Sequence, residues 1–237
     1  MAQAIRPGRI PRLEAAPWAG SQTMTHDDGM QWLDEALSAS DVGERLERQL
    51  RFVIELDKAK SVYRRTYITH GSRLENDAEH MWHVLIAGLL LAEHANEQVD
   101  PIRLALMLGI HDIVEIDAGD AFIYDEKARR DKVALEAAAA ERLFGILPPD
   151  QETEMRALWE EFEAKETATA KMAGAIDRLL PLLMNRALDG RSWLEHGITG
   201  DRVLAVNSQM ADGSTALWGF GKAVLDKAIE SGVLPMP

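Results

Sequence analysis

The chain has 237 residues, 46% of them apolar and 27% charged, which is enough for one sizeable globular domain. Its 39 acidic against 26 basic residues give a formal net charge of -13, which argues against a nucleic-acid duplex or an anionic membrane surface as the main partner. Cysteine is absent, so disulfides, thiolate nucleophiles and cysteine-based zinc or iron–sulfur sites are excluded, and any metal must be held by His, Asp or Glu.

Residues 1–26 read as a flexible arm: Arg6, Arg9 and Arg12 alternate with Pro7, Pro11 and Pro17 without periodicity. They carry no signal-peptide h-region, and the chain has no apolar stretch of the roughly 18 residues a membrane helix needs, so a cytoplasmic location is expected. Residues 27–237 are expected to form one all-α domain, because helical periodicity dominates and no strand pattern or repeat stands out. GMQWLDEAL predicts a short amphipathic helix, and DVGERLERQLRFVIELDKAK a longer one with Leu46, Leu50, Val53, Ile54 and Lys58 near one face. SVYRRTYITHGSRLE then loses periodicity and reads as a loop whose Arg64, Arg65 and Arg73 suit an anion.

NDAEHMWHVLIAGLLLAEHA follows, with Asn76 or Asp77 as cap and Glu79 in the first turn, where the helix dipole favours an acid. The next helix opens at Asp100 and Pro101 and is expected to run through IRLALMLGIHDIVEID to a stop at Gly119. DKVALEAAAAERLFGI and PDQETEMRALWEEFEAKE predict two amphipathic helices separated by Gly145, Pro148 and Pro149. ATAKMAGAIDRLLPLLMNRAL predicts an apolar helix kinked or broken at Pro181, and two more helices, near 200–211 and 214–231, complete the chain.

Five residues on three predicted helices break this pattern of buried apolar faces. On a continuous helix His111 and Glu115 share a row with Leu104 and Leu108, and Asp112 sits beside them. His80 occupies the same kind of position ahead of Val84, Ala87 and Leu91, and Asp177 falls among Ala173, Leu180 and Met184. A lone buried histidine is more often a hydrogen-bonded core residue than a ligand. Several polar groups brought together from neighbouring helices need a pairing partner or a cation, because desolvating a carboxylate costs several kcal/mol. The helices carrying His80 and His111 are consecutive and joined by a short link, so they are expected to pack antiparallel with the two histidines facing. Imidazole and carboxylate donors suit Mn, Co, Fe, Zn or Mg, and four ligands leave positions open for water and substrate.

ENDAEHMWHV, IHDIVEIDAGD and AIDRLLPLL, in that order, resemble the HD-domain metal-dependent phosphohydrolases, in particular the branch with bacterial 5'-deoxynucleotidases and HD-domain-containing protein 2. The likeness spans about residues 42–187 and implies an HD-domain helical bundle with additional N- and C-terminal helices. It implies that His80, His111, Asp112 and Asp177 are the metal ligands, with Asp112 holding both ion and water. It also implies that Glu115 acts on the attacking water or the phosphate, that Asp120 contacts water and substrate, and that an arginine among Arg64, Arg65 and Arg73 contacts phosphate. Many HD enzymes with a second metal carry further histidines before the last aspartate. None lies between Asp112 and Asp177, so one divalent ion per subunit is expected. His83 and His94 are read as core or surface residues, His26 and His196 as surface residues, and His70 as a candidate substrate contact in the basic loop.

The activity expected from this resemblance is removal of phosphate from (deoxy)nucleoside 5'-monophosphates by metal-activated water. A dNTP triphosphohydrolase, a nucleotide-binding regulatory protein with little turnover, and a metal-free helical scaffold are the alternatives. The resemblance implies a homodimer, and the apolar row Leu217, Trp218, Phe220, Val224 and Leu225 is expected to pack on the core or on a second subunit.

Overall fold

The computed structural model describes residues 31–237, with the backbone alone for 126–131. The expected N-terminal arm lies outside the described residues. Contacts divide the chain after Gly43: α1 (Gln31–Ala39) belongs to the first unit and everything from Glu44 onward to the second.

The second unit opens with α2 (Glu44–Glu55), which tightens into a 3-10 turn over Leu56–Ser61. Its rotation differs from expectation. Phe52 and Glu55 are buried, while Leu46, Leu50 and Val53 face solvent. The reason lies in the partners: Phe52 enters an apolar cluster with Leu143 and Phe144, and Glu55 accepts from Arg142 at 2.8 Å. The basic segment is also no simple loop. β1 (Tyr63–Tyr67) and β2 (Leu74–Asn76) pair antiparallel with an irregular register, a hairpin whose second strand is too short to leave a readable period.

α3 (Asp77–Leu91) starts on a complete capping box: the Asn76 side chain accepts from the Glu79 N–H at 3.0 Å, and Glu79 accepts from the Asn76 N–H at 3.3 Å. α4 (Pro101–Ile110) is capped by Asp100, which accepts from the Ile102 N–H at 2.8 Å. The two helices touch through glycines. A Cβ at Gly88 would lie 2.7 Å from Leu108 Cδ1, and one at Gly109 2.9 Å from Leu85 Cδ1. A side chain at either position would displace a leucine methyl of the facing helix.

α4 does not continue to Asp117 as predicted. It stops at Ile110, and i→i+3 turns carry the chain through His111 and Asp112 to the single turn α5 (Glu115–Ala118). The His111 ring nitrogen Nδ1 takes the Leu108 carbonyl at 2.8 Å, a group that a continuing helix would need for the Asp112 N–H. Gly119, at φ +75°, ends α5 as expected.

α6 (Glu126–Phe144), α7 (Pro149–Ala164) and α8 (Ala168–Ala187) follow. α8 is unbroken at Pro181, so of the expected kink or break the break does not occur. The missing N–H removes one bond, that to the Asp177 carbonyl, and the bonds on either side carry the helix. The C-terminus is more segmented than predicted: α9 (Arg191–Glu195), α10 (Gly200–Asn207), α11 (Met210–Gly213) and α12 (Thr215–Glu230). α11 and α12 pack on α8, burying Met210, Leu217 and Leu225, so the apolar row of the last helix joins the core, with Phe220 left exposed.

The architecture is therefore all-α apart from the hairpin. One apolar cluster joins Val84, Leu104, Leu108 and Ile176 across α3, α4 and α8; a second gathers Phe52, Met81, Val114 and Phe144 around α6. A third, with Leu182, Trp193 and Leu225, holds the C-terminal helices to the far end of α8. No helix among the described residues is long and apolar enough to cross a membrane.

Candidate metal centre and active-site cavity

Where α3, the end of α4 and the middle of α8 meet, the structure brings His80, His111, Asp112 and Asp177 together. The imidazole centroids are 5.6 Å apart. His80 Nε2 lies 3.0 Å from Asp177 Oδ1 and 3.9 Å from Asp112 Oδ2, while His111 Nε2 lies 3.2 Å from Asp112 Oδ2 and 3.6 Å from Asp177 Oδ1. Two ligands held about 2.1 Å from one ion at angles of 90° to 110° are separated by roughly 3.0–3.4 Å. The His80–Asp177 and His111–Asp112 separations have that spacing, and the two crossed separations exceed it by a few tenths of an ångström.

The orientation of each ring is fixed from behind. His111 Nδ1 donates to the Leu108 carbonyl, which can only accept, so Nε2 keeps its lone pair for a ligand. His80 Nδ1 lies 3.2 Å from Glu75 Oε2, a buried carboxylate at the end of the hairpin. We expect Glu75→Ala to weaken Mn2+ binding by roughly 10- to 100-fold with little change in helix content, because ligand-orienting carboxylates carry effects of that size. Titration with the ion followed by calorimetry measures this; an unchanged affinity would show that His80 needs no such brace.

Four atoms test whether a cation fits. His111 Nε2, both oxygens of Asp77 and Glu115 Oε2 are buried with no hydrogen-bond partner. Such groups are costly unless something positive reaches them. One ligand atom from each of His80, His111 and Asp112 falls within a 4.8 Å span, as does one from each of Asp77, Asp112 and Glu115. The donor set and the orphaned atoms fit a divalent ion.

The field of this cluster appears in the ionisation of its members. Burial opposes charge on His111, yet the Asp112 and Asp177 carboxylates outweigh it and raise its pKa. Asp112 and Asp177 are correspondingly held low by the two histidines and Arg64, despite their burial. Burial together with the Asp112 charge outweighs the nearby Arg64 and pushes Asp77 up to about 7. Burial and Asp112 likewise push Glu115 up.

The centre opens into a cavity of about 290 Å³. Arg64, from β1, contacts Asp112 and has Asp177 at 3.8 Å, Asp77 at 3.8 Å and Glu75 at 4.0 Å. Arg65 and Asp120 also line the cavity, and burial raises the Asp120 pKa. Arg73 is elsewhere: it grips Glu79 with two bonds of 2.6 and 2.7 Å at the start of α3, outside the cavity wall. His70 is exposed and also outside it, His83 lies beside Trp82 and His94 is exposed, and His196 packs on Phe122. His26 lies outside the described residues.

Sequence reasoning missed several members. Glu75 and Asp77 flank the capping residue and look like ordinary first-turn acids. Lys132, on α6, lies 2.5 Å from Glu115 and 2.8 Å from Glu136, and no pattern sets it apart from a solvated lysine. The far wall comes from Phe122, Tyr124, Asn185, Trp193 and Asn207, part of it from the C-terminal helices.

A helical bundle that brings two histidines and two aspartates together beside a cavity with buried acids and an arginine has a donor set that could hold a metal ion. Residues 56–218 match the HD domain family, and the chain belongs to that family. The match extends past residue 187, where the sequence motifs end, and takes in α9 to α11 and the start of α12.

Among relatives, the 5'-deoxynucleotidase HDDC2 of Xenopus laevis is 32% identical over 142 residues, 60% of this chain and 68% of that protein. The human protein of the same name is 27% identical over 142 residues, again 60% and 68%. A crystal structure from Magnetospirillum magnetotacticum named "Predicted metal-dependent phosphohydrolase" superposes with a TM-score of 0.78 at 50% identity, covering 81% of this chain and 96% of that one.

Proposed function

We propose that the protein is a metal-dependent phosphohydrolase that removes phosphate from (deoxy)nucleoside 5'-monophosphates. The observation that carries this reading is the convergence of His80, His111, Asp112 and Asp177, the last three of which line a cavity that also presents Glu115 and Arg64. The relatives named 5'-deoxynucleotidase and the phosphohydrolase of similar fold support it.

The two imidazole Nε2 atoms, Asp112 and Asp177 would hold one divalent ion, of the Mn, Co, Fe, Zn or Mg type. Bound there, such an ion supplies Lewis-acid polarisation of a phosphoryl oxygen and makes water more acidic. The remaining steps belong to the chain. Arg64 and Arg65 neutralise phosphate charge, with the planar guanidinium of Arg64 suited to paired hydrogen bonds. Glu115 and Asp120 orient the attacking water, and Glu115 takes its proton. Water oxygen bonds to phosphorus, the bond to the 5' oxygen breaks, that oxygen leaves with the proton Glu115 took from the water, and nucleoside and inorganic phosphate result.

Cavity size and charge favour one phosphate over three. About 290 Å³ is at the small end of ligand pockets. Five cationic side chains, including Lys132, Lys165 and Arg178, line it against six carboxylates, so even with a divalent ion there is little surplus for a triphosphate. The aromatic far wall suits a base.

The test is a screen of nucleoside mono- and triphosphates with Mn2+ and Co2+, assaying inorganic phosphate and triphosphate separately. Phosphate from the monophosphates is expected. Silence on every monophosphate, or release of intact triphosphate, would sink the reading.

We further infer a homodimer. Trp82, Ile86 and Leu90 on α3, and Ile102 and Leu106 on α4, turn apolar rows outward with exposures of 39–68%. Contiguous apolar surface of this kind ordinarily meets a partner. Leu90→Glu should convert a dimer to a monomer in sedimentation experiments, and a wild-type monomer at micromolar concentration would refute it.

A further inference from the structure

The geometry points to Lys132 as the residue that positions Glu115 for hydrolysis, an inference that rests on the phosphohydrolase reading above. Glu115 is buried, and its two oxygens are in different situations. Oε1 accepts from the Lys132 ammonium at 2.5 Å, whereas Oε2 has no hydrogen-bond partner. One Glu115 oxygen also falls within 4.8 Å of oxygens on Asp77 and Asp112. A carboxylate clamped at one oxygen cannot rotate freely, so its other oxygen is presented in a fixed direction.

Without the clamp, three buried acids repel one another and Glu115 is the one able to swing, since it heads a single helical turn. Lys132 is itself braced. Glu136, one turn further along α6, accepts from the same ammonium at 2.8 Å, which restrains a flexible four-carbon stem. Lys132 and both of its carboxylate partners line the cavity. Lys132 therefore acts through Glu115 and needs no contact with the reacting phosphate. This makes it a positioning residue on a helix that the sequence motifs do not mark.

The experiment compares Lys132→Met, Lys132→Arg and Glu136→Gln with the wild type, each loaded with Mn2+. Lys132→Met should lower kcat by about 100-fold, the scale of a misplaced proton acceptor, with KM within threefold and Mn2+ affinity unchanged. Lys132→Arg, which restores a cation, should recover most of kcat, and Glu136→Gln should give a smaller loss with the same unchanged KM. Substrate-free crystals of Lys132→Met should have Glu115 turned from its wild-type position.

A raised KM at constant kcat, Mn2+ affinity that falls in step with kcat, or an unmoved Glu115 would overturn the inference. Should Lys132→Met fail to fold, Glu136→Gln and Lys132→Arg carry the same comparison. Failure of the substrate reading is distinguishable, because it appears as an inactive wild type, whereas the Glu115 position is read with no substrate present.

Discussion

Asp112→Ala is expected to reduce phosphate release by at least about 10³-fold and to abolish retention of Mn2+ through dialysis. Asp112 reaches both histidines and is in direct contact with Arg64, at 3.2 Å from His111 Nε2 and 3.9 Å from His80 Nε2. Losing a group that only orients a ligand costs 10- to 100-fold in metal affinity, so losing the ligand itself costs more. Removing a single preorganised electrostatic group already lowers turnover by 10²–10³. The fold should survive, because Asp112 belongs to no apolar cluster while its neighbours Ile113 and Val114 do. Arg64 keeps Glu75, Asp77 and Asp177 within 4.0 Å, so the loss of stability should stay below the ~3–5 kcal/mol typical of a severed buried pair. Metal analysis, phosphate assay and thermal melting check the three parts. An Asp112→Ala protein that keeps one tightly held ion and activity within tenfold would refute the ligand assignment. His83→Ala, on the same helix as His80, is the matched control.

Glu115→Gln has the second-largest expected effect, and it has a different signature: kcat lower by 10²–10⁴ with metal content unchanged. The substitution keeps the shape of the side chain and removes its capacity to take a proton. The pH dependence gives an independent check. Burial and the Asp112 charge raise the Glu115 pKa, so the wild-type kcat/KM should fall with acidification at a pH above the ordinary carboxylate range near 4.3. A base must be ionised to act, so activity is lost as pH drops through the raised value. The residual activity of Glu115→Gln should lack that limb. Wild-type turnover in this variant, or loss of its metal, would show that Glu115 is not the proton acceptor.

The histidine and aspartate positions were legible because each interrupts an apolar stripe, a contradiction that needs only helical periodicity to notice. His80, His111, Asp112, Glu115 and Asp177 are visible for that reason, and the ordered motifs add Asp120. Glu75 was hidden because a three-residue strand has no period and an acid beside a cap needs no special explanation. Lys132 was hidden because its helix reads as amphipathic and charged whether or not one lysine is turned inward. The face of α2 was misjudged for a related reason. Its apolar residues fit more than one row, and the burial of Glu55 is decided by Arg142, 87 positions away. Pro181 ranks lower as a helix breaker in a long packed helix than its local chemistry suggests. His111 taught the reverse lesson, ending a helix by taking a carbonyl from the backbone.

The glycine contacts between α3 and α4 make the metal centre responsive to changes well outside it. Gly88 lies two turns along α3 from His80, and nothing about it is polar, yet a methyl group there would meet Leu108 at 2.7 Å. Relief of that clash falls first on the Leu108 side chain, which is fully buried in the cluster shared with α8 and can give way only by disturbing the packing of the helices on which the imidazoles ride. Ion affinity at the proposed centre should therefore depend partly on interhelical volume. A search for variants with loosened metal binding should collect substitutions along this dry seam, among residues that never approach the ion.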